Sequence, residues 1–454
     1  MSADRSASHL SRRRFLALSG AAAAMGALAA CAAPVAPGAP ATTGGSTAPA
    51  ASAPPAADRT FTIFAANHHT ANVKELWVPI FQEKTGVTVE WVEVGGGDAD
   101  AKLAVFVASQ DSSVDVMYTW ETFVAKYSRT LMEDVTDSFD STLLASLAPA
   151  PTRALSFLGR QYGIPLDSNQ AIFMWNTDVY SAAGLDPATP PTSWEEFLDF
   201  SEAATGDGKF GTLFTMGDAN SSFVTFVSIY NSTGGDLFSD DLTQLQLNTE
   251  EGLLTMNAIY DAFVTRGVAD PAGVTIASSI EQGKVFRAGN MAHYFAFPNH
   301  YVLANDPTQS EIVGLAQTGI IPGVKLRSGS VNGFEGYAIN RFSNNKDLGM
   351  AWLEHVVSPE VQKLVALNWG RPPSLLSTYD DPEVAEKSPQ FATVREQGAY
   401  PARRYGSPFY FDVGTVFLTR MLEMIEGQYT PQEAIDLIQA EGQQIVDDYW
   451  ELAG

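Results

Sequence analysis

The fold class is decided by residues 60–91, which read TFTIFAANHHTANVKELWVPIFQEKTGVTVEW. The apolar residues at the start of this stretch predict a short strand, and the polar residues 67–70 predict a loop after it. Residues 75–83 predict a helix that ends at Gly86, because glycine favours the C-terminus of a helix. Alternation of apolar and polar residues over 87–91 then predicts a second strand.

The same order of strand and helix continues along the chain. A helix is predicted around residues 103–109, and residues 115–118 (DVMY) predict a third strand. Strands that alternate with helices are typical of a mostly parallel sheet with helices on its faces, so the predicted fold class is α/β. About 400 residues follow residue 58, a length that favours two lobes over a single core.

The N-terminus has the pattern of an export signal. Residues 11–16 read SRRRFL, an uncharged Ala/Leu-rich stretch follows, and LAAC occupies residues 28–31. The apolar stretch is shorter than the ~20 residues that cross a bilayer, so residues 1–30 are interpreted as a signal peptide. They resemble a twin-arginine signal of a bacterial lipoprotein, in which Cys31 would be lipidated. The alternative is an ordinary signal peptide with an incidental cysteine.

A tether is predicted behind this signal. Residues 31–58 consist almost entirely of Ala, Pro, Gly, Ser and Thr, and this composition cannot form a packed core. A flexible tether behind a lipid anchor would hold a folded body away from the membrane. The expected location is therefore the extracytoplasmic side of the cell membrane, at the cell surface or in the periplasm.

The charge balance excludes one class of partner. The chain has 52 acidic and 27 basic residues and a net charge of −25. Loss of residues 1–30 would remove four arginines and one aspartate and lower the net charge to −28. Such a surface repels phosphate groups, so no nucleic-acid partner is expected. Membrane attachment would have to come from the lipid and not from a basic patch.

Several short segments occur together in the order typical of one family. They read FQEKTGVTV at 81–89, YGIP at 162–165, FMWNTD at 173–178, GL at 184–185, PPTSWEEF at 190–197, GNMA at 289–292 and GYAIN at 336–340. In these segments the chain resembles the family 1 extracellular solute-binding proteins, the family that includes maltose-binding protein. Each segment is a weak signal alone, and the resemblance rests on their order and spacing behind a lipoprotein signal.

The resemblance implies a periplasmic-binding-protein fold, with two lobes joined by crossing segments and a ligand cleft between them. Mapping the crossings gives lobe 1 as residues 59–167 plus 321–371 and lobe 2 as residues 168–320 plus 372–454. The protein would be a monomer that binds a carbohydrate, specifically a di- or oligosaccharide. It would close around the sugar by hinge motion and deliver it to the permease subunits of an ABC importer. No catalysis and no cofactor are expected.

Sugar recognition requires aromatic faces that pack on pyranose rings and polar side chains that bond to hydroxyls. Trp120 and Glu121 follow the third predicted strand, where open α/β sheets place their sites. The resemblance implies that the rings of Phe223, Phe297 and Tyr410 stack on the sugar. Phe297 stands where the family pattern has a tryptophan, so maltodextrin is not implied as the ligand. The predicted ligand-binding residues are Asn67, His68, Tyr118, Trp120, Glu121, Asp167, Asn169, Phe223, Phe297, Glu335, Arg371 and Tyr410. For each of them, a structural role in a lobe or loop is the alternative.

Two other functions remain open at this point. Tryptophan faces together with Glu121, Asp167 and Glu335 would also suit a cationic solute such as a polyamine. A secreted glycoside hydrolase is the second alternative, because a catalytic carboxylate pair is defined by distance in space. The motifs of serine hydrolases, phosphate-binding loops and zinc proteases do not occur. Adjacent side chains on an extended segment point in opposite directions, so His68 and His69 are not expected to form a metal site.

Overall fold

The computed structural model describes residues 59–453. The predicted signal peptide, Cys31 and the tether lie outside the described residues. The strands are Thr60–Ala66 (β1), Thr88–Val94 (β2), Val116–Trp120 (β3), Ser156–Phe157 (β4), Arg160–Gln161 (β5), Gly163–Pro165 (β6), Ile172–Asn176 (β7), Phe210–Thr212 (β8), Met291–Ala296 (β9), Ala316–Gly319 (β10) and Glu335–Ile339 (β11).

Helices connect and cover these strands. The α-helices are Val78–Thr85 (α1), Ala99–Ser109 (α2), Glu121–Tyr127 (α3), Ser141–Ser146 (α4), Pro149–Ala154 (α5), Thr177–Ala182 (α6), Trp194–Ala203 (α7), Ala219–Tyr230 (α8), Glu250–Tyr260 (α9), Ser279–Arg287 (α10), Asn299–Ala304 (α11), Lys346–Val356 (α12), Pro359–Trp369 (α13), Pro382–Lys387 (α14), Gln390–Gln397 (α15), Tyr410–Ile425 (α16) and Pro431–Ala453 (α17). Short 3₁₀ or π-helical turns occur at Asn67–His69, Thr70–Trp77, Gly96–Asp98, Asp261–Thr265, Pro271–Thr275 and Leu376–Asp380.

The strands form two main sheets, one in each lobe. The first has the order β2-β1-β3-β11-β6, in which β1 pairs in parallel with β2 and β3, while β11 runs antiparallel to β3 and β6. The second has the order β10-β7-β9-β8, in which β7 runs antiparallel to both of its neighbours and β8 is parallel to β9. A small hairpin of β4 and β5 stands apart. The predicted α/β class is confirmed.

One strand in each sheet runs against the others, and each of these strands follows a passage between the sheets. Strand β6 is the last strand of sheet one before the chain crosses to sheet two, and β7 begins sheet two a few residues later. Strand β10 ends the visit to sheet two, and β11 re-enters sheet one. The chain therefore alternates between two lobes, as the predicted fold class requires. The residue boundaries expected for the lobes stay a prediction.

Local expectations for residues 60–91 are met except at one point. Gly86 ends α1 with a positive φ of 74°, and its N–H donates to the Gln82 carbonyl at 2.8 Å. The loop predicted at 67–70 is wrong, because Asn67–His69 forms a 3₁₀ turn that leads directly into the π-helical turn Thr70–Trp77. His69 and Trp77 are fully buried, so packing against the first lobe winds this polar segment into a helix.

Aromatic clusters fill both lobes. In the first lobe the Phe81 ring packs 5.5 Å from Phe61 and 5.2 Å from Trp352. In the second lobe the Phe197 ring lies 4.8 Å from Trp194 and 5.4 Å from Phe295. Full burial of one such side chain contributes about 1.5–3 kcal/mol, so these clusters hold each sheet against its helices.

Candidate functional site

Three segments of the chain lie side by side between the two sheets, around residues 166–171, 331–335 and 371–373. They are called the crossing segments. The N–H of Leu166 donates to the Glu335 carbonyl at 2.9 Å, and the N–H of Ser168 donates to the Pro372 carbonyl at 2.8 Å. The N–H of Ala171 donates to Val331 at 3.0 Å. These backbone bonds bring together side chains that are far apart in sequence, and the candidate site is built on them.

A buried ion network occupies this junction. The Arg371 guanidinium lies 2.7 Å from an oxygen of Asp167 and also contacts Glu335 through the same nitrogen. The Asp167 side chain is fully buried, and those of Arg371 and Glu335 are 9% and 14% exposed. Two carboxylates therefore share one guanidinium at the point where the lobes meet. Asp167, Glu335 and Arg371, with His68 and His69, are called the carboxylate–arginine network below.

The two carboxylates have opposite proton affinities. Burial raises the pKa of Asp167 to about 7, because Arg371 offsets only part of the desolvation and the nearby Glu335 charge adds to it. Burial also acts to raise the pKa of Glu335, but Arg371 and His68 outweigh it and hold the pKa well below its usual range. Glu335 is therefore the firmly ionised member of the pair, and Asp167 is the member close to protonation at neutral pH.

Both histidines of the 3₁₀ turn reach the same carboxylate. His68 Nε2 lies 3.0 Å from Glu335 Oε1, and His69 Nε2 lies 3.3 Å from Glu335 Oε2. The expectation that the two rings point in opposite directions is wrong, because the segment is helical and not extended. Burial lowers the pKa of His69 to about 4, so this imidazole is neutral at physiological pH.

Aromatic rings surround the network on the side of lobe 1. The Arg371 guanidinium stacks 4.0 Å from the centre of the Trp369 ring, a cation–π contact. The Tyr118 ring lies 5.1 Å from His69, and the Trp369 ring lies 5.3 Å from it. Trp369 ends α13 and is only partly buried, so one of its surfaces is available to a ligand.

A second cluster lies where β3 passes into α3. Trp120, the last residue of β3, packs 5.6 Å from Tyr410, and the Arg404 guanidinium stands 4.5 Å from the Trp120 ring. The Glu121 carboxylate accepts hydrogen bonds from the Gly406 N–H at 3.1 Å and from Asn332 Nδ2 at 2.9 Å. Trp120, Glu121, Arg404 and Tyr410 are called the Trp120 cluster below.

The Trp120 cluster joins the two lobes. Glu121 belongs to α3, which follows a strand of sheet one, whereas Gly406 precedes α16, which packs on α8, the helix that follows strand β8 of sheet two. Burial raises the pKa of Glu121 above its usual range, although the two N–H donors and Arg404 counteract part of this effect. The lobes are therefore in direct contact across the cleft, through a carboxylate whose charge is held by donors from both sides.

Three polar atoms at the crossings are buried without a hydrogen-bond partner. They are Asn169 Oδ1, Asn332 Oδ1 and Arg371 Nε. A buried polar group that lacks a partner costs about 1–3 kcal/mol, so such atoms are uncommon without a reason. All three belong to residues next to the carboxylate–arginine network or the Trp120 cluster, where a bound molecule could satisfy them.

The remaining predicted residues lie around these groups. Asn67 is exposed beside His68. Phe297 lies against Gly333 and lines a cavity of about 40 Å³ in lobe 2. Phe223 is 1% exposed and packs 5.0 Å from Tyr410, behind the Trp120 cluster. The ligand roles of the predicted residues stay predictions.

Sequence reasoning did not select four residues that stand in this region: His69, Asn332, Trp369 and Arg404. His69 is not selected because, on an extended segment, its ring is expected to point away from that of His68. Arg404 could have been noticed from the sequence, because basic residues are scarce in this acidic chain and each of them is therefore a candidate partner for an acidic side chain. Neither Asn332 nor Trp369 had a signal of its own, because their places depend on crossings that meet only in the folded protein.

A wider groove lies elsewhere. Its volume is about 470 Å³, and it is lined by Trp175, Thr177, Pro187, Ala188 and Gln317 at the outer edge of sheet two. It contains none of the predicted residues and no charged lining residue, so the crossings remain the better candidate site. Within residues 59–453, no helix has both the length and the apolar composition needed to cross a bilayer.

Comparison with known proteins decides the family. The family model for bacterial extracellular solute-binding proteins matches residues 77–393. The chain belongs to this family. Members of this family are solute-binding components of transport systems and act outside the cytoplasm, so this solute-binding protein takes a small solute.

Relatives and solved structures agree with this assignment. The solute-binding protein is 25% identical over 321 residues to the probable amino-acid ABC transporter periplasmic-binding protein y4oP of Sinorhizobium fredii, covering 69% of this chain and 72% of the relative. The maltose-bound MalE3 of T. maritima superposes with a TM-score of 0.75 at 20% identity, covering 84% of this chain and 98% of that one. A Thermotoga lettingae solute-binding protein bound to α-D-tagatose gives a TM-score of 0.74 at 19% identity and covers 86% and 100%. The two-lobe fold predicted from the sequence is confirmed.

Proposed function

We propose that the protein binds a carbohydrate, a di- or oligosaccharide, in the cleft between its lobes and delivers it to the permease of an ABC importer. The observation that carries this proposal is the carboxylate–arginine network beside partly exposed aromatic rings. Sugars present two surfaces, hydroxyl edges and apolar C–H faces, and this combination of side chains fits both.

The network is suited to hydroxyl groups. Arg371 holds the partly accessible Glu335 in place, so its remaining lone pairs can accept from sugar hydroxyls without a large loss of side-chain entropy, while the fully buried Asp167 orients Arg371. The unpartnered Asn169 Oδ1 and Asn332 Oδ1 can accept from hydroxyls as well, and Arg371 Nε can donate to one. A polyhydroxylated ligand supplies donors and acceptors together, as this set requires.

The aromatic rings favour a ligand with more than one sugar ring. Trp369 and Tyr118 stand on one side of the network, whereas Trp120, Tyr410 and Phe411 form a second group in which Phe411 lies 6.1 Å from Trp120. Tyr118, Trp120 and Tyr410 are buried, whereas Trp369 and Phe411 are partly exposed, one beside each group. These two exposed rings suit two pyranose rings. The structural neighbours from Thermotoga species bind maltose and tagatose, a disaccharide and a monosaccharide, so ligand size is tested directly below.

A cationic solute is the second candidate, because three acidic side chains lie at the site and outnumber its two arginines. Glu121 and Glu335 already accept from N–H donors, and Asp167 is paired with Arg371. This internal pairing favours a neutral ligand. Ionic strength separates the two cases, since the affinity for a polyamine falls as salt is added whereas the affinity for a neutral sugar does not.

The test is calorimetric and thermal titration of residues 59–454, unfolded and refolded to remove any co-purified solute. The panel contains mono-, di- and oligosaccharides, polyols, amino acids and polyamines. A ligand at 100 times its Kd raises the unfolding free energy by about 2.7 kcal/mol. A rise with di- or oligosaccharides is expected. Binding of polyamines or amino acids alone would overturn the carbohydrate proposal, and appearance of cleaved sugar would point to a hydrolase.

A pair of variants localises the site. Trp369→Leu removes a ring next to Arg371 and should weaken sugar binding about tenfold, which corresponds to about 1.4 kcal/mol. Trp450→Leu is the matched control, because Trp450 is also partly buried but lies on α17, where its indole N–H donates to Leu242. Equal affinities of the two variants would place the sugar outside the cleft.

We also propose that Cys31 carries the lipid anchor and that export uses the twin-arginine route. The sequence SRRRFL and the single cysteine after LAA support both steps. Cys31→Ser should move the protein from the membrane fraction to the soluble fraction of cells. Replacement of Arg12 and Arg13 by lysine should stop export if the route is correct, whereas continued export would show that another route is used.

A further inference from the structure

Three potential metal ligands converge at the inner wall of the cleft. Among the residues that the structure describes, His68, His69 and Glu335 form the one group of histidine, cysteine or acidic side chains with this spacing, and their donor atoms lie within 4.8 Å of one another. Zn²⁺ binds imidazole nitrogen and carboxylate oxygen at ~2.0–2.2 Å, so tetrahedral ligand atoms stand roughly 3.3 Å apart. Glu335 Oε2 lies 3.3 Å from Nε2 of both His68 and His69, which matches this value, and the two Nε2 atoms lie within 4.8 Å of each other.

The groups behind these ligands hold them in the orientation that a metal needs. His69 Nδ1 lies 2.6 Å from the Tyr337 hydroxyl, so this nitrogen can carry the proton while Nε2 faces Glu335 with a free lone pair. Arg371 contacts Glu335 Oε2, the oxygen that faces both imidazoles, and so fixes its position, while Oε1 lies beside His68. Metal sites commonly have such outer partners, a hydrogen bond to the far nitrogen of an imidazole and another to the second carboxylate oxygen.

We propose that His68, His69 and Glu335 bind a divalent transition metal with the ligand preferences of Zn²⁺. Two imidazoles and one carboxylate are a ligand set that zinc uses when its fourth position stays open. The His68 side chain is 33% exposed, so the open position faces the accessible side of the cluster. This site goes beyond sugar binding: it shares Glu335 with the proposed sugar site, but Zn²⁺ binding is measured without any sugar present.

The charges of the site permit a cation. The buried carboxylates of Asp167 and Glu335 are accompanied by one guanidinium, that of Arg371. A divalent ion would compensate the excess negative charge, although repulsion from Arg371 would weaken its binding. Metal binding exchanges each Nε2–H···O contact for an Nε2–metal bond, and a neutral imidazole can move its proton to Nδ1. At His69 the Nδ1–H then donates to the Tyr337 hydroxyl oxygen, and the cost of this exchange is that the Tyr337 O–H no longer has Nδ1 as its acceptor.

Calorimetric titration of ZnCl₂ into protein that has been treated with chelator and carries no histidine tag tests the proposal. Binding of one Zn²⁺ per chain with a Kd of micromolar or below is expected, on the order of the affinity of a three-ligand site. Co²⁺ as a second probe should give the visible absorption of a tetrahedral N/O site. Absence of Zn²⁺ binding at millimolar concentration would overturn the proposal.

Variants identify the ligands. His68→Gln should weaken Zn²⁺ binding at least 100-fold, and its partial exposure makes loss of folding a small risk, which circular dichroism checks. Tyr337→Phe should weaken binding about tenfold, the usual effect of an outer partner. His355→Gln is the control, because His355 lies on α12 and contacts the Trp77 carbonyl. Equal Zn²⁺ affinity in His68→Gln and His355→Gln would contradict the proposal, and sugar titrations of the same variants report separately on the cleft.

Discussion

Removal of the Arg371 guanidinium should destabilise the fold strongly. In Arg371→Met the side-chain length is kept, but Asp167 and Glu335 are left facing each other without their shared counter-charge. The three side chains are between 0% and 14% exposed, so water cannot replace the guanidinium. Removing one partner of a buried ion pair costs about 3–5 kcal/mol, and this is the loss expected in the unfolding free energy.

Arg160 provides the matched control. It also contacts two aspartates, Asp134 at 2.5 Å and Asp137 at 3.8 Å, but its side chain is 49% exposed. Exposed ion pairs contribute about 0–1 kcal/mol, so Arg160→Met should change stability by less than this amount. The two variants lose the same charge and differ mainly in burial, to which Arg371 adds its contact with the Trp369 ring.

Urea unfolding at pH 7.5 measures both variants, with tryptophan fluorescence and far-ultraviolet circular dichroism followed together as a check on two-state behaviour. A second substitution, Asp167→Asn, should recover at least about 1 kcal/mol in the Arg371→Met background, because it removes a buried carboxyl that without Arg371 must either stay charged or take up a proton. If Arg371→Met costs no more than Arg160→Met, the reasoning from burial is refuted.

Three further predictions concern other parts of the molecule. Burial lowers the pKa of His293 to about 3, so below pH 6.5 the unfolded chain binds a proton that the native chain does not. The unfolding free energy should therefore fall by about 2 kcal/mol between pH 7 and 5, and urea unfolding of His293→Gln should show a smaller loss over the same interval. Alanine at Gly336 would place Cβ 2.1 Å from a carbonyl oxygen of the neighbouring strand, so Gly336→Ala should cost about 1–3 kcal/mol in urea unfolding, whereas Gly97→Ala, with open space around it, should cost almost nothing. A Cβ at Gly406 would lie 2.6 Å from the Glu121 side chain across the cleft, so Gly406→Ala should move the lobes apart. Small-angle scattering should then show a larger radius of gyration at unchanged unfolding free energy. An unchanged radius would contradict a role of Gly406 in holding the lobes together.

Much of the first lobe could be predicted from local sequence. The apolar run of β1 is buried at every position after Thr60, and in β2 the half-buried Val89 and Trp91 alternate with exposed residues, as the period of a strand requires. Gly86 ends α1 because it adopts a positive φ of 74° without strain. The order of short motifs also predicted the family and the two-lobe fold.

The arrangement of the candidate site was less accessible to sequence reasoning. The direction of the His68 and His69 rings depends on a 3₁₀ turn that packing of Trp77 and its neighbours imposes, and local polarity at 67–70 suggested a loop instead. Arg404 is 284 residues from Trp120, so no local pattern could place its guanidinium 4.5 Å from that ring.

The sequence by itself determined the α/β class, the family, the excess of negative charge and the residue types available for a ligand. The class, the charge and the residue types follow from composition and short-range periodicity, and the family follows from the order and spacing of short motifs along the chain. Only the tertiary structure decided that Asp167, Glu335 and Arg371 share one buried network and that both histidines reach Glu335. Those contacts join crossing segments up to 267 residues apart, and their positions are fixed by the packing of two sheets and not by any neighbour in the chain.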